Sequence, residues 1–172
     1  MALKLTLGCA ILRELLSSDA PSLARHANDR RVWVQLRDIF PHPYQEKDAA
    51  EYIERIQMQD QPTAFALAVD GQAVGVIGLT RQTDINRQSA EMGYWIGTAH
   101  WGKGIATAAV RALTSWSMEQ LGLVRLYATP CVHNIASCRV LEKAGYVREG
   151  LMCKSAIKDG QVLDQVLYAY VG

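Results

Sequence analysis

The sequence predicts an α/β fold of the α+β type: a mixed, mainly antiparallel sheet with helices on both faces. Three observations predict it. Two pairs of β-rich runs are each joined by a short turn, TAFALAV and QAVGVIGLTRQ across Asp70-Gly71, and YVREGLMCKSAI and VLDQVLYAYV across Lys158-Asp159-Gly160-Gln161. Such pairs close as antiparallel hairpins. Between them the pattern alternates strand, helix, strand, helix, as in a sheet crossed by helices. The first third of the chain is mostly helical. With 172 residues there is room for one core, so a single domain over residues 1–172 is expected.

The elements come in this order. MALKLTLGCAILRELL reads as an N-terminal β-strand. An export signal is disfavoured there, because no apolar run of the usual length precedes Cys9, and Arg13 and Glu14 interrupt the apolar residues after it. The chain turns helical after Asp19, a favoured N-cap type with Pro21 in the first turn. RRVWVQLRD reads as a second helical stretch, stopped by Pro41 and Pro43. From Glu46 to Gln59 the spacing of Ala50, Ile53 and Ile56 between charges predicts an amphipathic helix. In SAEMGYWIG, Ala90, Met92, Tyr94 and Ile96 fall on one face of a strand, and Glu91, Gly93 and Trp95 on the other. A broadly apolar helix begins near Gly104, a strand lies around VRLYATPCV, and a helix runs from about Asn134 to Ala144. Gly145 ends it as a C-cap glycine does.

Composition narrows the function. About half the residues are apolar (49%), a fifth are charged (20%) and the net charge is +1, which is ordinary for a soluble globular protein and exerts no chain-wide pull on nucleic acid or anionic membrane. No segment approaches the roughly 18 apolar residues of a membrane span. A cytoplasmic protein is expected, with neither nucleic acid nor membrane as partner, and a monomer or homodimer. The four cysteines, Cys9, Cys131, Cys138 and Cys153, form no CxxC pair and the four histidines are scattered. Free thiols and no metal are expected.

HWGKGIATAAVRAL carries the strongest chemical signal. Gly102-Lys103-Gly104 comes after one strand and directly precedes a helix. A helix start has several N–H groups without internal partners and a partial positive charge. Glycines permit positive-φ geometry and let a phosphate approach those amides, and Lys103 adds a full charge. A tight strand-to-helix turn with no ligand is the plainer reading of the same residues. The run lacks the GxxxxGK[ST] of a P-loop, and Thr107 stands where a dinucleotide fingerprint needs its third glycine.

WGKGIA, Trp101 to Ala106, resembles the acyl-coenzyme A diphosphate loop of the GNAT N-acetyltransferases, whose consensus is Arg/Gln-x-x-Gly-x-Gly/Ala; Trp101 stands at the Arg/Gln position, as in the RimJ/RimL-like branch. EMGYWIG, NIASCRVLEKAGY and NDRRVWVQLRDIFPHPY extend the resemblance over nearly the whole chain. It implies two central strands that splay apart around a pantetheine arm. By position, the backbone of Trp95 and Ile96 would pair with the pantetheine amides, and the amides of Trp101, Gly102, Lys103, Gly104, Ile105, Ala106 and Thr107 would bind the diphosphate. Asn134 would hydrogen-bond the arm; a simple helix N-cap is its other reading. Trp33, Phe40 and Tyr44 would line the acceptor pocket, with core packing the alternative for Trp33.

The implied reaction moves an acetyl group from acetyl-coenzyme A, the only cofactor expected, to a primary amine on a protein N-terminus or a small molecule, directly within a ternary complex. The amine must be neutral. At pH 7 that costs about 1 kcal/mol for an α-amine of pKa ~7.8 and about 4.6 kcal/mol for lysine near 10.4, so an α-amine is the easier nucleophile. Glu91, a carboxylate on an otherwise apolar strand near the loop, is the candidate general base, directly or through water. A pairing with Arg81, Arg87 or Arg125, or a solvent-facing carboxylate, is its structural alternative. Many family members carry a tyrosine one helical turn beyond Ser137, where this chain has Leu141; Ser137 is then the residue expected to contact the departing sulfur. An acyl-cysteine route through Cys131 or Cys138 lacks a motif-linked base. The competing function is a non-catalytic acyl-coenzyme A-binding or sensing domain.

Overall fold

The structure is a computed structural model and describes residues 3–172; Met1 and Ala2, the start of the predicted first strand and of the expected 1–172 domain, lie outside the described residues. The strands are β1 (Lys4–Leu7), β2 (Ala10–Glu14), β3 (Ala64–Val69), β4 (Gln72–Arg81), β5 (Ser89–Ile96), β6 (Arg125–Ala128), β7 (Val147–Lys158) and β8 (Gln161–Val171). The helices are α1 (Ala20–Ala27), α2 (Arg30–Trp33), α3 (Glu46–Gln57), α4 (Ile105–Leu121) and α5 (Ile135–Lys143). The strands form one sheet in the order β1-β2-β3-β4-β5-β6-β8-β7. β5 and β6 pair in parallel, and β1–β2, β2–β3, β3–β4, β6–β8 and β7–β8 pair antiparallel.

The chain divides into two compact units, Met1–Gly78 with Tyr94–Ala109, and Leu79–Gly93 with Val110–Gly172. The first contains β1 to β3, α1 to α3 and the loop before α4. Its N-terminal run is two strands where the sequence reads as one, because Gly8 (φ 69°) reverses the chain so that Leu7 pairs with Ala10. Asp19 precedes α1 as expected, but its carboxylate turns back to accept the Leu16 N–H (2.8 Å) and two bonds from Arg13 (2.7 and 2.8 Å) rather than capping the helix. α2 is shorter than RRVWVQLRD predicts. It ends at Trp33, well before Pro41, with β-branched Val32 and Val34 at its end weakening propagation. α3 buries Ala49, Ile53 and Ile56, a 4–3 spacing, while the predicted Ala50 is exposed. α1 and α3 pack together over a core that includes Leu23, Ala27, Tyr44 and Ile53. The Asp70-Gly71 hairpin has positive φ at both turn residues (49° and 81°), as a two-residue hairpin turn requires.

The second unit contains the parallel ladder Ser89–Arg125, Ala90–Leu126 and Glu91–Tyr127, and its β6 stops at Ala128. β6 is shorter than VRLYATPCV suggests; beyond it, Cys131 keeps only an isolated bridge to Gln165. The closing hairpin turns at Asp159 and Gly160, both at positive φ, and β8 rather than β7 lies beside β6. α5 ends as predicted: Gly145 has φ 93°, its N–H bonds to Glu142 O, and the Tyr146 N–H reaches back to Leu141 O. No helix among the described residues is long and apolar enough to cross a membrane.

Candidate active site

The first unit carries the glycine loop. β5 ends at Ile96, where Gly97 donates to Val74 O (2.8 Å), and one 3-10 turn, Thr98–His100, leads to Trp101. Gly102 and Gly104 have φ of 74° and 77°, and α4 begins at once. The backbone N–H groups of this stretch divide into two sets. His100 donates to Gly97 O and Trp101 to Thr98 O (3.2 Å), and the next bonded amide is that of Ala108, to Gly104 O (3.0 Å). The six N–H groups of residues 102–107 therefore have no hydrogen-bond acceptor among the described residues. The expected cradle starts one residue later than the sequence suggests, since the Trp101 amide is spent closing its own turn.

Trp101 enters instead through its side chain. Its indole N–H donates to Ile96 O at 2.8 Å, so the strand end expected to face pantetheine already accepts one bond on that carbonyl. Trp95 and Ile96 lie against β4 so closely that a Cβ on Gly75 would stand 2.4 Å from Trp95 O and 2.8 Å from Ile96 Cα. Only glycine fits there.

The turn is braced from the N-terminal segment. Thr98 Oγ1 donates to Asp29 Oδ2 (3.0 Å) and accepts from Arg31 Nη2 (3.0 Å). Asp29 also caps α2 through the Arg31 N–H (2.8 Å), and the Arg31 guanidinium holds its carboxyl well below the usual carboxylate range. His26 packs against Gly97 and meets His100 edge-on, ring centroids 5.3 Å apart. Burial, aided by His100 and Arg25 at His26 and by Lys103 at His100, pushes both imidazoles below their ordinary pKa, against a smaller upward pull of Asp70 on His100. The roles of Asp29, Thr98 and His26 in bracing the turn do not stand out in the sequence, because each braces it through a partner 67 to 74 positions away. That separation carries no local signal.

The three aromatics expected at the acceptor pocket divide. Phe40 lies edge-on to Trp95 (5.6 Å) and against Tyr44 (4.5 Å). Tyr44 is only 8% exposed and belongs to the core, where burial pushes its phenol up to about 12. Trp33 is half-buried, stacked on His42 (5.5 Å) with the Arg30 guanidinium 5.3 Å from its ring centre. A surface cleft of about 310 Å³ beside α1 is lined by Arg13, Asp19 and Arg25, but both arginines are already bonded, to Asp19 and to Gln72.

The second unit carries the acid–base candidates. Glu91, half-buried on β5, accepts a hydrogen bond from Thr129 Oγ1 (3.1 Å). Gln165 Nε2 holds the Thr129 carbonyl in turn (2.7 Å). Arg125, one of the cations considered for Glu91, is engaged in an ion pair with Glu149. Asn134 caps α5, its Oδ1 accepting the Ser137 N–H (3.2 Å), which leaves its amide N–H groups available. Ser137 is half-buried, and Leu141, in place of the usual tyrosine, is fully buried. Burial pushes the Cys131 and Cys138 thiols up, which suppresses the thiolate an acyl-cysteine route needs. Tyr146 is core: its hydroxyl meets Thr114 Oγ1 (2.9 Å) and burial raises it to about 12. Among the described residues no group of His, Cys, Asp and Glu is arranged to hold a metal.

A sequence profile of the acetyltransferase (GNAT) domain matches residues 10–147. The chain belongs to the GNAT acetyltransferase family. Among relatives of this GNAT protein, the probable N-acetyltransferase YjcK of Bacillus subtilis is 34% identical over 129 residues, 74% of this chain and 71% of that one. The ribosomal-protein-serine acetyltransferase of Escherichia coli is 28% identical over 146 residues, 82% and 80% of the two chains. The solved structure of RimL, the ribosomal L7/L12 α-N-protein acetyltransferase in complex with coenzyme A, matches with a TM-score of 0.86 at 20% identity over 98% of each chain, a likeness of fold. The GNAT chain is thus an N-acetyltransferase, and its unpaired loop amides have the chemistry to receive an anion.

Proposed function

We propose that this N-acetyltransferase is one domain over residues 1–172 that uses acetyl-coenzyme A and acts in the cytoplasm by direct transfer to a primary amine in a ternary complex. One observation carries the reading: six consecutive N–H groups, 102–107, stand without acceptors among the described residues at the start of a 17-residue helix. They fit a diphosphate, which supplies several acceptor oxygens and full negative charge where the helix end is positive. Acetyl-coenzyme A brings an acyl group activated as a thioester. In this reading the Trp95–Ile96 backbone and Asn134 hold the pantetheine arm, Asn134 through its amide N–H groups.

Glu91, oriented by Thr129, takes a proton from the amine, directly or through water. The nitrogen then forms the new N–C bond as the C–S bond breaks, and the sulfur leaves as a thiolate that takes up a proton from solvent. Ser137 donates a hydrogen bond towards that sulfur. A coenzyme A thiol has a pKa near the free-thiol value of about 8.5, so departure needs no strong acid and the missing tyrosine is no obstacle. Trp33 and Phe40 border the acceptor; Tyr44 supports Phe40 from the core.

The acceptor is a protein N-terminus or a small amine, and the ribosomal-protein acetyltransferase among the relatives favours the former. Thiol release from acetyl-coenzyme A, monitored over a panel of N-terminal peptides and small amines, tests this. Turnover with at least one acceptor, lost in Glu91→Gln, is the expected result. Tight coenzyme A binding with no turnover across the panel would make the protein a sensor, and no coenzyme A binding at millimolar concentration would remove the reading altogether.

A further inference from the structure

We propose that the Trp101 side chain is a positioning residue: its indole N–H, donated to the Ile96 carbonyl, ties the diphosphate loop to the end of β5. The inference rests on the reading of residues 102–107 as a diphosphate cradle. Those amides are useful only if they converge, yet among the described residues none of them finds an acceptor that would hold the segment in place. The two positive-φ glycines that shape the loop also widen the range of shapes open to it.

The strand end, by contrast, is fixed. Gly75 sits against the backbone of Trp95 and Ile96, and Gly97 donates to Val74. The 2.8 Å indole bond carries that rigidity five residues forward, to the residue directly before Gly102. Trp101 is 48% exposed, so burial of its ring is not what holds it, and the directed bond is the specific contact. The same bond occupies one lone pair of the Ile96 carbonyl, leaving the other for the pantetheine arm. Loop and arm site are thereby held at a constant spacing.

The test is an NMR titration of wild type and Trp101→Phe, which keeps an aromatic ring and removes only the donor. Two probes are used: coenzyme A, and pantetheine, which has the arm without the diphosphate. The expected result is a coenzyme A affinity lower by about five- to tenfold, the fold-change of one lost hydrogen bond, with pantetheine affinity and melting temperature unchanged. Equal coenzyme A affinities within twofold, or parallel losses for both probes, would overturn the tether. Should the Phe variant fail to fold, the wild-type indole N–H decides: slow exchange with solvent supports the bond and fast exchange refutes it. A wild-type protein that binds pantetheine but not coenzyme A would overturn the cradle itself, a result distinct from failure of the tether.

Discussion

Glu91 accepts its hydrogen bond from Thr129, and that contact separates chemistry from structure at the residue scale. Glutamine at position 91 keeps the side-chain volume and an oxygen for Thr129 but cannot take a proton. Glu91→Gln is therefore expected to lower kcat by about 10²- to 10⁴-fold, the usual contribution of a positioned base, with melting temperature unchanged. Steady-state kinetics and thermal melts on the same preparation check both halves. Thr129→Val removes the donor at nearly constant shape. It is expected to lower kcat in steady-state kinetics, because the carboxylate loses the bond that orients it, and Thr129→Ser should restore the rate. Glu91 stands out in the strand pattern as a lone carboxylate; Thr129 does not, since Glu91 meets it only through parallel pairing of β5 and β6.

At the scale of elements, α5 and the β4–β5 contact make separable demands. Asn134 caps α5 through Oδ1 and has N–H groups to spare. Asn134→Ala should cost about 1 kcal/mol of stability through the lost cap, while Asn134→Ser should keep most of it. Both should weaken coenzyme A binding if the amide N–H groups hold the arm, and unchanged affinity in the Ser variant would reduce Asn134 to a cap. Gly75→Ala places a Cβ 2.4 Å from Trp95 O, a backbone atom that cannot move aside alone. The expected loss is about 1 to 3 kcal/mol in a denaturant melt. The helix after Asn134 was legible because a capping residue acts within a few positions, and the helix after Asp19 because Pro21 suits a first turn. The real end of α2 and the reversal at Gly8 were not: apolar patterns continue through both, and the reversal shows only in the pairing of β1 with β2.

For the whole molecule, pH is the most direct probe. Burial holds His26 and His100 below their ordinary pKa, so the folded state takes up protons at lower pH than the unfolded chain, which does so near pH 6.5. The unfolded state binds more protons below that point, and stability falls with pH. This contribution is complete above pH 6.5 and is lost as pH drops below it. Melting temperature is expected to decline between about pH 7 and 5.5, with a shallower decline in His26→Gln and His100→Gln; parallel slopes in all three would exclude the pair. Asp29, held low by Arg31, acts in the same sense but at more acid pH, below the ordinary carboxylate range.

The sequence by itself determined the two hairpins, the Asn134 and Gly145 caps of α5, the glycine loop ahead of α4 and the family resemblance, because each is written in neighbouring residues whose backbone preferences act locally. Tertiary structure alone decided that Thr98 ahead of the loop is held by Asp29 and Arg31, that Tyr44 is core rather than pocket, and that β8 lies beside β6. Those outcomes depend on which groups from distant segments satisfy one another's hydrogen bonds and exclude one another from water, and adjacency in the chain does not encode that competition.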